Sequence, residues 1–479
     1  MIQEAIRATK NTISILLIKG TEYLILLLFI LIIPRLMGPG DYGNYAFIMS
    51  IIVAVTLIAD LGTVNIFGRF IPEMEEKKQT NKIKKLLAQT IKIKFLVGLL
   101  LLILYITILS TLNIKNLKLT YLIITGLALL FFIIAGNLFS FLFGKNEIIK
   151  YSLRNLFRRI LTLVFLILLY TKFRIIGIYS TILITSIILF MFALIWTIKY
   201  IDLKIKLDIK FLKPYLKFGV ILFLSTAIIT VFHNLGNIMT QLITKSSREV
   251  TFFDLPNQGF FITLMLLNLL IFSLAPTLTK FAIKRKKNKI NKWLRMMTKY
   301  SVALSVFTIA IIIFLGNDVI QIIYGLEFSK IYINAVIIFL SIIPFIIVIN
   351  GLTIATVYKK PKNVITPLII GLIFYIIISV LLIIRYASFG TSLGVFAASM
   401  LFGILIFIYN KHHLIGPTKE LIKSILPAAI MLPLFFIRGG IMFNMLLLIF
   451  FIIVYVLIMF LTKLINKKEI KEIIKAIKS

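Results

Sequence analysis

The chain has 479 residues, of which 60% are hydrophobic, and its mean hydropathy is +1.07. This composition excludes a soluble globular protein and indicates an integral membrane protein. A net charge of +36 would suggest nucleic-acid binding only in a soluble chain. The chain has no cysteine and only three histidines, so we predict no disulfide, no metal site and no cofactor.

Long apolar runs fill most of the chain, and short polar or Gly/Pro stretches separate them. A bilayer core about 30 Å thick requires roughly 20 apolar helical residues for each crossing. Fourteen runs approach that length, so we predict an all-α, polytopic membrane protein; the fifth run has the shortest apolar part. In chain order the predicted spans are 12–33, 43–68, 92–112, 119–143, 155–171, 176–198, 218–243, 257–280, 300–316, 331–357, 364–385, 389–410, 422–438 and 440–462.

The Lys and Arg residues are distributed unequally between the two sides of the predicted membrane. If the N-terminus lies inside, the inner segments hold 42 of the 53 and the outer segments hold 10. Cationic loops stay on the cytoplasmic side, so both termini are predicted to be cytoplasmic in a cell membrane. Removing the fifth span would move the basic run 284–295 to the outside, which supports an even number of spans. We interpret the basic runs as topology determinants and lipid-headgroup contacts, with no nucleic-acid partner.

A glycine-rich motif, RLMGPGDYGNY at 35–45, separates the first two spans. Its glycines have the spacing G-x-G-x-x-G of a dinucleotide-binding loop, and Asp60 lies 17 residues beyond the last of them. That loop requires a preceding β-strand in a βαβ unit, whereas a membrane helix precedes this motif. We therefore interpret it as an outer turn that folds spans 1 and 2 back on each other.

The opening pattern of the chain recurs at 215–280. Both copies consist of two spans joined by a short outer loop and ending near a proline, although few residues are identical. Duplicated bundles are common among secondary transporters. We therefore predict two six-helix bundles, at 1–199 and 200–410, and a segment at 411–479 with two extra transmembrane helices and a basic cytoplasmic tail.

The residues of the N-terminal hairpin form a recognisable set: Arg35, Leu36, Gly38, Pro39, Asp41, Tyr42, Gly43, Tyr45, Ala59, Asp60, Leu61, Gly62, Arg69, Phe70, Ile71 and Pro72. This set resembles the polysaccharide biosynthesis or O-antigen flippases of the multidrug/oligosaccharidyl-lipid/polysaccharide exporter (MOP) superfamily. The resemblance implies two six-helix bundles around a central cavity and translocation of an undecaprenol- or dolichol-linked oligosaccharide. Such proteins often have an aspartate near the outer end of the seventh span, where this chain has HNLGN at 233–237.

Three ionisable residues lie within the first two predicted spans. An ionisable group at membrane depth costs at least about 2.5 kcal/mol, so it normally faces a partner or an aqueous cavity. Lys19 and Glu22 share a helix face, and Lys19 and Asp60 lie at the same depth if spans 1 and 2 are antiparallel. We predict a pair between Lys19 and Asp60, with Glu22 beside it. The pair is either a neutralised structural contact or a substrate-facing or ion-coupling site.

Polar side chains follow one face of the seventh span at helical spacing. They either form hydrogen bonds between helices or line a hydrophilic cavity that accepts sugar hydroxyls. Asn268 on the eighth span is predicted to face the same space. The residues of this polar stripe are Thr226, Thr230, His233, Asn234, Asn237 and Gln241.

These features favour a flippase for a lipid-linked saccharide that works by alternating access, with the two bundles rocking about a midplane cavity. Cations are expected to bind the diphosphate linker of the substrate. The candidates are Lys19, Arg69 and, from the outer side, Arg35 and Arg248. Besides this glycan substrate, the expected partners are membrane lipids and glycan-assembly enzymes.

Two other functions stay open at this point. A cation-coupled drug or metabolite antiporter of the same superfamily would have a cavity centred on carboxylates. A membrane glycosyltransferase or polymerase would need a sizeable outer loop, and no predicted outer loop exceeds about 15 residues. We therefore predict that the protein is not an enzyme.

Overall fold

A computed structural model describes residues 2–112, 117–272, 275–358, 360–437, 439–462 and 464 of the chain. Within these ranges the secondary structure consists of α-helices and short 3₁₀ helices, with no β-strand. The predicted all-α class is therefore confirmed. The predicted C-terminal tail lies outside the described residues, apart from Leu464.

The helices group into two compact units, which we call unit 1 (1–248) and unit 2 (249–479). Unit 1 contains α1 (Ile2–Asp60), α2 (Thr63–Glu76), α3 (Thr80–Thr111), α4 (Leu119–Gly144), α5 (Ile148–Phe173), α6 (Ile175–Thr197) and α7 (Ile209–Thr244). Unit 2 contains α8 (Ser247–Phe272, whose first two residues belong to unit 1), α9 (Ala275–Ile283), α10 (Lys287–Tyr324), α11 (Ile331–Leu340), α12 (Ile342–Val357), α13 (Lys362–Tyr409), α14 (Lys411–Ile430) and α15 (Ile441–Leu461). These units reflect packing, and the division into 1–199, 200–410 and 411–479 stays a prediction.

Nine helical stretches among the described residues are long and apolar enough to cross a membrane. The protein is therefore a multi-pass membrane protein, while the count of fourteen spans stays a prediction. Two of the nine stretches, Leu17–Glu76 and Lys362–Tyr409, change direction within their length. The predicted fifth span lies within a continuous helix of 26 residues, α5.

The glycine-rich motif folds α1 back on itself at Gly38. This residue has φ 72° and ψ 167°, a conformation that residues with side chains rarely adopt, and Pro39 follows it. The ring centroids of Phe29 and Tyr45 lie 5.7 Å apart across the turn. In a straight helix their sequence separation would place them about 24 Å apart. The predicted turn between the first two spans is therefore confirmed.

The predicted second span, 43–68, is not one continuous helix. Helix α1 ends at Asp60, and Leu61 and Gly62 have positive φ angles of 54° and 70° before α2 begins. A Cβ atom at Gly62 would lie 2.2 Å from the carbonyl oxygen of Gly219 in α7. The break therefore accompanies a close approach of two backbones, which the hydrophobicity of the segment does not reveal.

We expect Gly62→Ala to lower the free energy of unfolding by more than about 1 kcal/mol. Alanine is strained at the positive φ angle of this position, and its Cβ atom would clash with backbone atoms of Gly219. Gly40→Ala is the matched control, since a Cβ atom at helical Gly40 would meet no atom within 4 Å. Thermal unfolding of the purified protein in detergent measures the difference. Equal Tm values for the two variants would contradict a structural role for the contact between Gly62 and Gly219.

The same tight turn occurs in both units, 213 residues apart. It joins α5 to α6 at Arg174, with φ 49° and ψ −126°, and it bends α13 at Ala387, with φ 51° and ψ −132°. Three residues later, Gly177 and Gly390 pack against the preceding helical segment, where a Cβ atom would lie 2.3 and 2.2 Å from a carbonyl oxygen. This shared geometry supports an internal repeat that residue identity barely shows.

The linker that precedes α7 is bound to α3. Gln89 donates a hydrogen bond of 2.6 Å to the Lys206 carbonyl oxygen and accepts one of 2.7 Å from the Asp208 backbone N–H. Lys85 forms an ion pair of 2.8 Å with Asp208. The hydrogen bonds from Lys85 and from the Phe211 amide hold the pKa of the Asp208 carboxyl below its usual range. These contacts fix the start of α7 to α3.

Candidate functional site

A cavity of about 220 Å³ lies inside unit 1, between α1, α3, α4 and α5. Three of its four charged lining residues are cations. Thr56 and Asn155 add hydrogen-bonding groups, and the remaining lining is apolar side chains and one glycine. The charged lining residues are Asp60, Lys94, Arg154 and Arg158.

Lys94 lines the cavity from α3 and is almost fully buried, with 2% of its surface exposed. Its Nζ donates a hydrogen bond of 2.8 Å to Thr63 Oγ1 and lies 3.8 Å from Asp60 Oδ1. Asp60 Oδ1 also accepts hydrogen bonds of 3.2 Å from the backbone N–H and the hydroxyl of Thr63, the first residue of α2. A helix N-terminus and a buried ammonium both favour negative charge nearby. The carboxylate and the lysine therefore position each other at the cavity wall.

Arg154 and Arg158 lie four residues apart on α5, so they share a helix face. Both are partly buried and line the cavity. Within the described part of the chain, neither guanidinium forms an ion pair with a carboxylate. Like charges at this spacing repel each other, and a buried or partly buried charge normally has a partner. The arrangement is therefore suited to bind an anion that is not part of the chain.

Glu22 is buried on the first arm of α1 and has two cationic neighbours. Lys19 Nζ lies 2.7 Å from Glu22 Oε2, and Arg159 Nε lies 3.6 Å from Glu22 Oε1. The predicted pair between Lys19 and Asp60 is therefore wrong, because Lys19 pairs with Glu22 and Asp60 pairs with Lys94. The physical reason is that Lys19 has a carboxylate one turn away on its own helix, whereas Asp60 ends α1 and faces α2 and α3.

The other predicted anion contacts lie apart from this cavity. Arg35, Arg69 and Arg248 are exposed, and none of them lines it. Near Arg35, the Asp41 carboxylate accepts a hydrogen bond of 2.8 Å from the Tyr170 hydroxyl, which connects the glycine-rich turn to α5. Anion binding by these three arginines stays a prediction.

The polar stripe on α7 makes hydrogen bonds of two kinds. The Asn237 amide donates to Ser50 Oγ on α1 at 2.8 Å, which supports the packing interpretation for this residue. Thr230 and Asn234 donate to carbonyl oxygens one turn earlier on α7. Gln241 is buried, and its Oε1 has no hydrogen-bond partner in the part of the chain that the structure describes.

The remaining members of the predicted polar set are Thr226 and His233 on α7 and Asn268 on α8. Thr226 and Asn268 are exposed, and His233 is partly buried. None of the three lines the cavity in unit 1. Contact between these residues and a saccharide stays a prediction.

Lys94, Arg154 and Arg158 do not stand out in the sequence, because all three belong to basic runs that are predicted to lie on the inner side of the membrane. A finer pattern does distinguish them. Arg154 and Arg158 follow the helical period at the start of α5, whose later part is apolar, and the apolar run of α3 begins directly after Lys94. Basic residues that continue a helix into its apolar part therefore differ from basic residues in a loop.

Comparison with known proteins identifies a family and a fold. The model of a family described as polysaccharide biosynthesis protein matches residues 8–282 of the chain. No curated protein sequence matches the chain. Among solved structures, the fold is similar to that of the lipid II flippase MurJ in an inward closed conformation, with a TM-score of 0.73 and 19% identity over 95% of this chain and 99% of that chain.

Transporters of the MOP superfamily share the fold as well. An inward-facing multidrug resistance MATE family transporter gives a TM-score of 0.62 and 13% identity over 83% of this chain and 96% of that chain. A transporter from Pyrococcus furiosus gives a TM-score of 0.52 and 14% identity over 85% of this chain and 95% of that chain. At these identities the likeness concerns the fold alone.

Proposed function

The chain belongs to the polysaccharide biosynthesis protein family, and from this premise we propose that it is a flippase for a lipid-linked oligosaccharide or polysaccharide precursor. The observation that carries the proposal is the cationic cavity in unit 1, whose two arginines form no ion pair within the described residues. A lipid-linked saccharide carries its negative charge at the phosphate groups between sugar and lipid. Partly buried cations can neutralise those phosphates while the lipid tail stays in the bilayer.

Arg154 and Arg158 are the proposed phosphate ligands. A planar guanidinium presents parallel N–H donors that match the spacing of phosphate oxygens, so it binds in a defined orientation. Water and salt also screen charges less in a partly buried site than in an exposed one, which strengthens each contact. Lys94 contributes a third positive charge from a fixed position, because Thr63 and Asp60 hold its ammonium group.

Transport is proposed to occur by alternating access, in which the substrate site opens to one side of the membrane at a time. The membrane is proposed to be the cell membrane, with both termini on the cytoplasmic side, because Lys and Arg are concentrated in the segments assigned to that side. The proposed partners are the lipid-linked glycan, membrane lipids and enzymes that assemble the glycan.

A cation-coupled drug or metabolite antiporter is the second candidate, since MATE transporters share the fold. Such a protein would attract a cationic substrate with carboxylates. The charged lining of the cavity in unit 1 instead consists of three cations and one carboxylate. This charge balance favours an anionic substrate. The family and the fold are consistent with transport, so we propose no catalytic role.

Deletion of the gene in its host tests the proposal. We expect a lipid-linked glycan to accumulate with its sugar on the cytoplasmic side, and complementation with the intact chain to remove it. Mass spectrometry of extracted lipids measures the accumulation and identifies both sugar and carrier. Unchanged lipid-linked glycans together with greater sensitivity to cationic drugs would contradict the flippase and favour the antiporter.

A further inference from the structure

A second cationic cavity, of about 510 Å³, lies entirely within unit 2 and shares no residue with the cavity in unit 1. It is formed by the first turns of α10, by α14 and by Thr462 and Leu464 beyond the end of α15. Four of its five charged lining residues are cations. These five residues are Lys292, Arg295, Lys299, Glu420 and Lys423.

The Arg295 side chain packs against a glycine in the neighbouring helix. A Cβ atom at Gly416 of α14 would lie 2.4 Å from Arg295 Nε and 2.9 Å from its Nη2. The guanidinium therefore packs against α14 backbone that no side chain covers. Lys299, one turn further along α10, is 5% exposed. The cavity thus combines the buried Lys299 with exposed cations, among them Arg295 and Lys423.

The cavity lies where α10 changes from a basic segment to an apolar one. Lys299 is the last basic residue of α10, and the apolar part of the helix follows Tyr300. Large apolar side chains that directly precede lining residues in the sequence are exposed on α14 and α15: Ile422 (56%) before Lys423, and Leu461 (74%) before Thr462. Cations next to an exposed apolar surface at one end of a membrane helix match the two parts of a phospholipid, its phosphate headgroup and its acyl chains.

We propose that this cavity binds the phosphate headgroup of an anionic phospholipid, with the acyl chains along the exposed apolar surface of α14 and α15. Arginine and lysine form charge-assisted hydrogen bonds to phosphate oxygens, and the lining residues Asn288 and Asn291 offer further donors to the headgroup. A soluble phosphate would use the same cations but would leave the adjoining apolar surface without a function. The site concerns the surrounding membrane and does not depend on the transported substrate.

The test uses the full-length protein in nanodiscs of phosphatidylcholine, with and without phosphatidylglycerol. Bound lipid stabilises the folded state by mass action, so we expect phosphatidylglycerol to raise Tm. In the variant Arg295→Gln with Lys423→Gln, we expect that rise to be lost and the apparent affinity for phosphatidylglycerol to fall by at least about tenfold. The matched control, Lys284→Gln with Lys286→Gln, removes two exposed charges just before α10 and should keep the full rise.

Three outcomes would overturn the proposal. The first is an equal loss of the Tm rise in the cavity variant and in the control, which would indicate attraction to the general basic surface. The second is a rise in the cavity variant as large as in the unaltered protein. The third is a full rise in Tm when inorganic phosphate alone is added to the protein in phosphatidylcholine nanodiscs, which would assign the cavity to a soluble anion.

Lys423→Gln alone provides a second variant if the double variant fails to fold, because the Lys423 side chain is exposed on α14. We expect this variant to show a smaller rise in Tm with phosphatidylglycerol and an unchanged Tm in phosphatidylcholine. A rise as large as in the unaltered protein would overturn the role of this lysine. The readout is lipid binding, with no measurement of transport. Failure of this proposal and failure of the flippase proposal are therefore distinguishable.

Discussion

Replacement of both Arg154 and Arg158 by glutamine is expected to reduce transport of a lipid-linked glycan by at least about a hundredfold. Each charge-assisted hydrogen bond to a phosphate contributes about 1.5 kcal/mol or more, and about 1.4 kcal/mol corresponds to a factor of ten. The measurement is the rate at which a lipid-linked saccharide in proteoliposomes becomes accessible to a membrane-impermeant reagent. Stability should be unchanged or slightly higher, because the substitution removes repulsion between like charges four residues apart on α5.

The control for this experiment removes the same charge from exposed positions. Arg285→Gln with Arg385→Gln replaces two exposed arginines of unit 2 and is expected to transport at the rate of the unaltered protein. A cavity variant that transports equally fast would show that the cavity in unit 1 does not bind the substrate. A cavity variant with a much lower Tm would instead assign a structural role to the two arginines.

The parts of the fold that follow from local sequence were predictable. The turn at Gly38 is one, because glycine and proline between two apolar runs restrict the backbone locally. The shared helix face of Lys19 and Glu22 is another, because it depends only on the spacing of the two residues within one helix. The all-α class follows from apolar runs of bilayer length, since only helices satisfy their backbone hydrogen bonds within one such segment.

The parts that depend on contacts between distant segments were not predictable. The break after Asp60 accompanies the approach of Gly62 to Gly219, far along the chain. Lys94 has the same sequence character as the other basic residues of its run, and only the packing of α3 against α1 shows that it is buried beside Asp60. Burial of a charge is decided by tertiary structure, and one sequence does not contain that information in a local pattern.

A double-mutant cycle on Asp60 and Lys94 is expected to give the second large effect. Asp60→Asn should lower the free energy of unfolding by about 2 kcal/mol, because it leaves a buried ammonium without its carboxylate. This value is below that for a fully buried pair, because the Asp60 side chain is 31% exposed. Lys94→Met should cost about 1 kcal/mol, since Thr63 still donates two hydrogen bonds to the carboxylate.

The double variant Asp60→Asn with Lys94→Met should be more stable than the sum of the single changes indicates, because neither member of the pair is then left as a charge without the other. Chemical unfolding in detergent measures the four stabilities, and additive effects would contradict an ion pair. Transport by the same double variant then separates the two roles open to Asp60. If the double variant is stable but does not transport, the two charges face the substrate. If it recovers both stability and transport, the pair only holds α2 and α3 at the cavity wall.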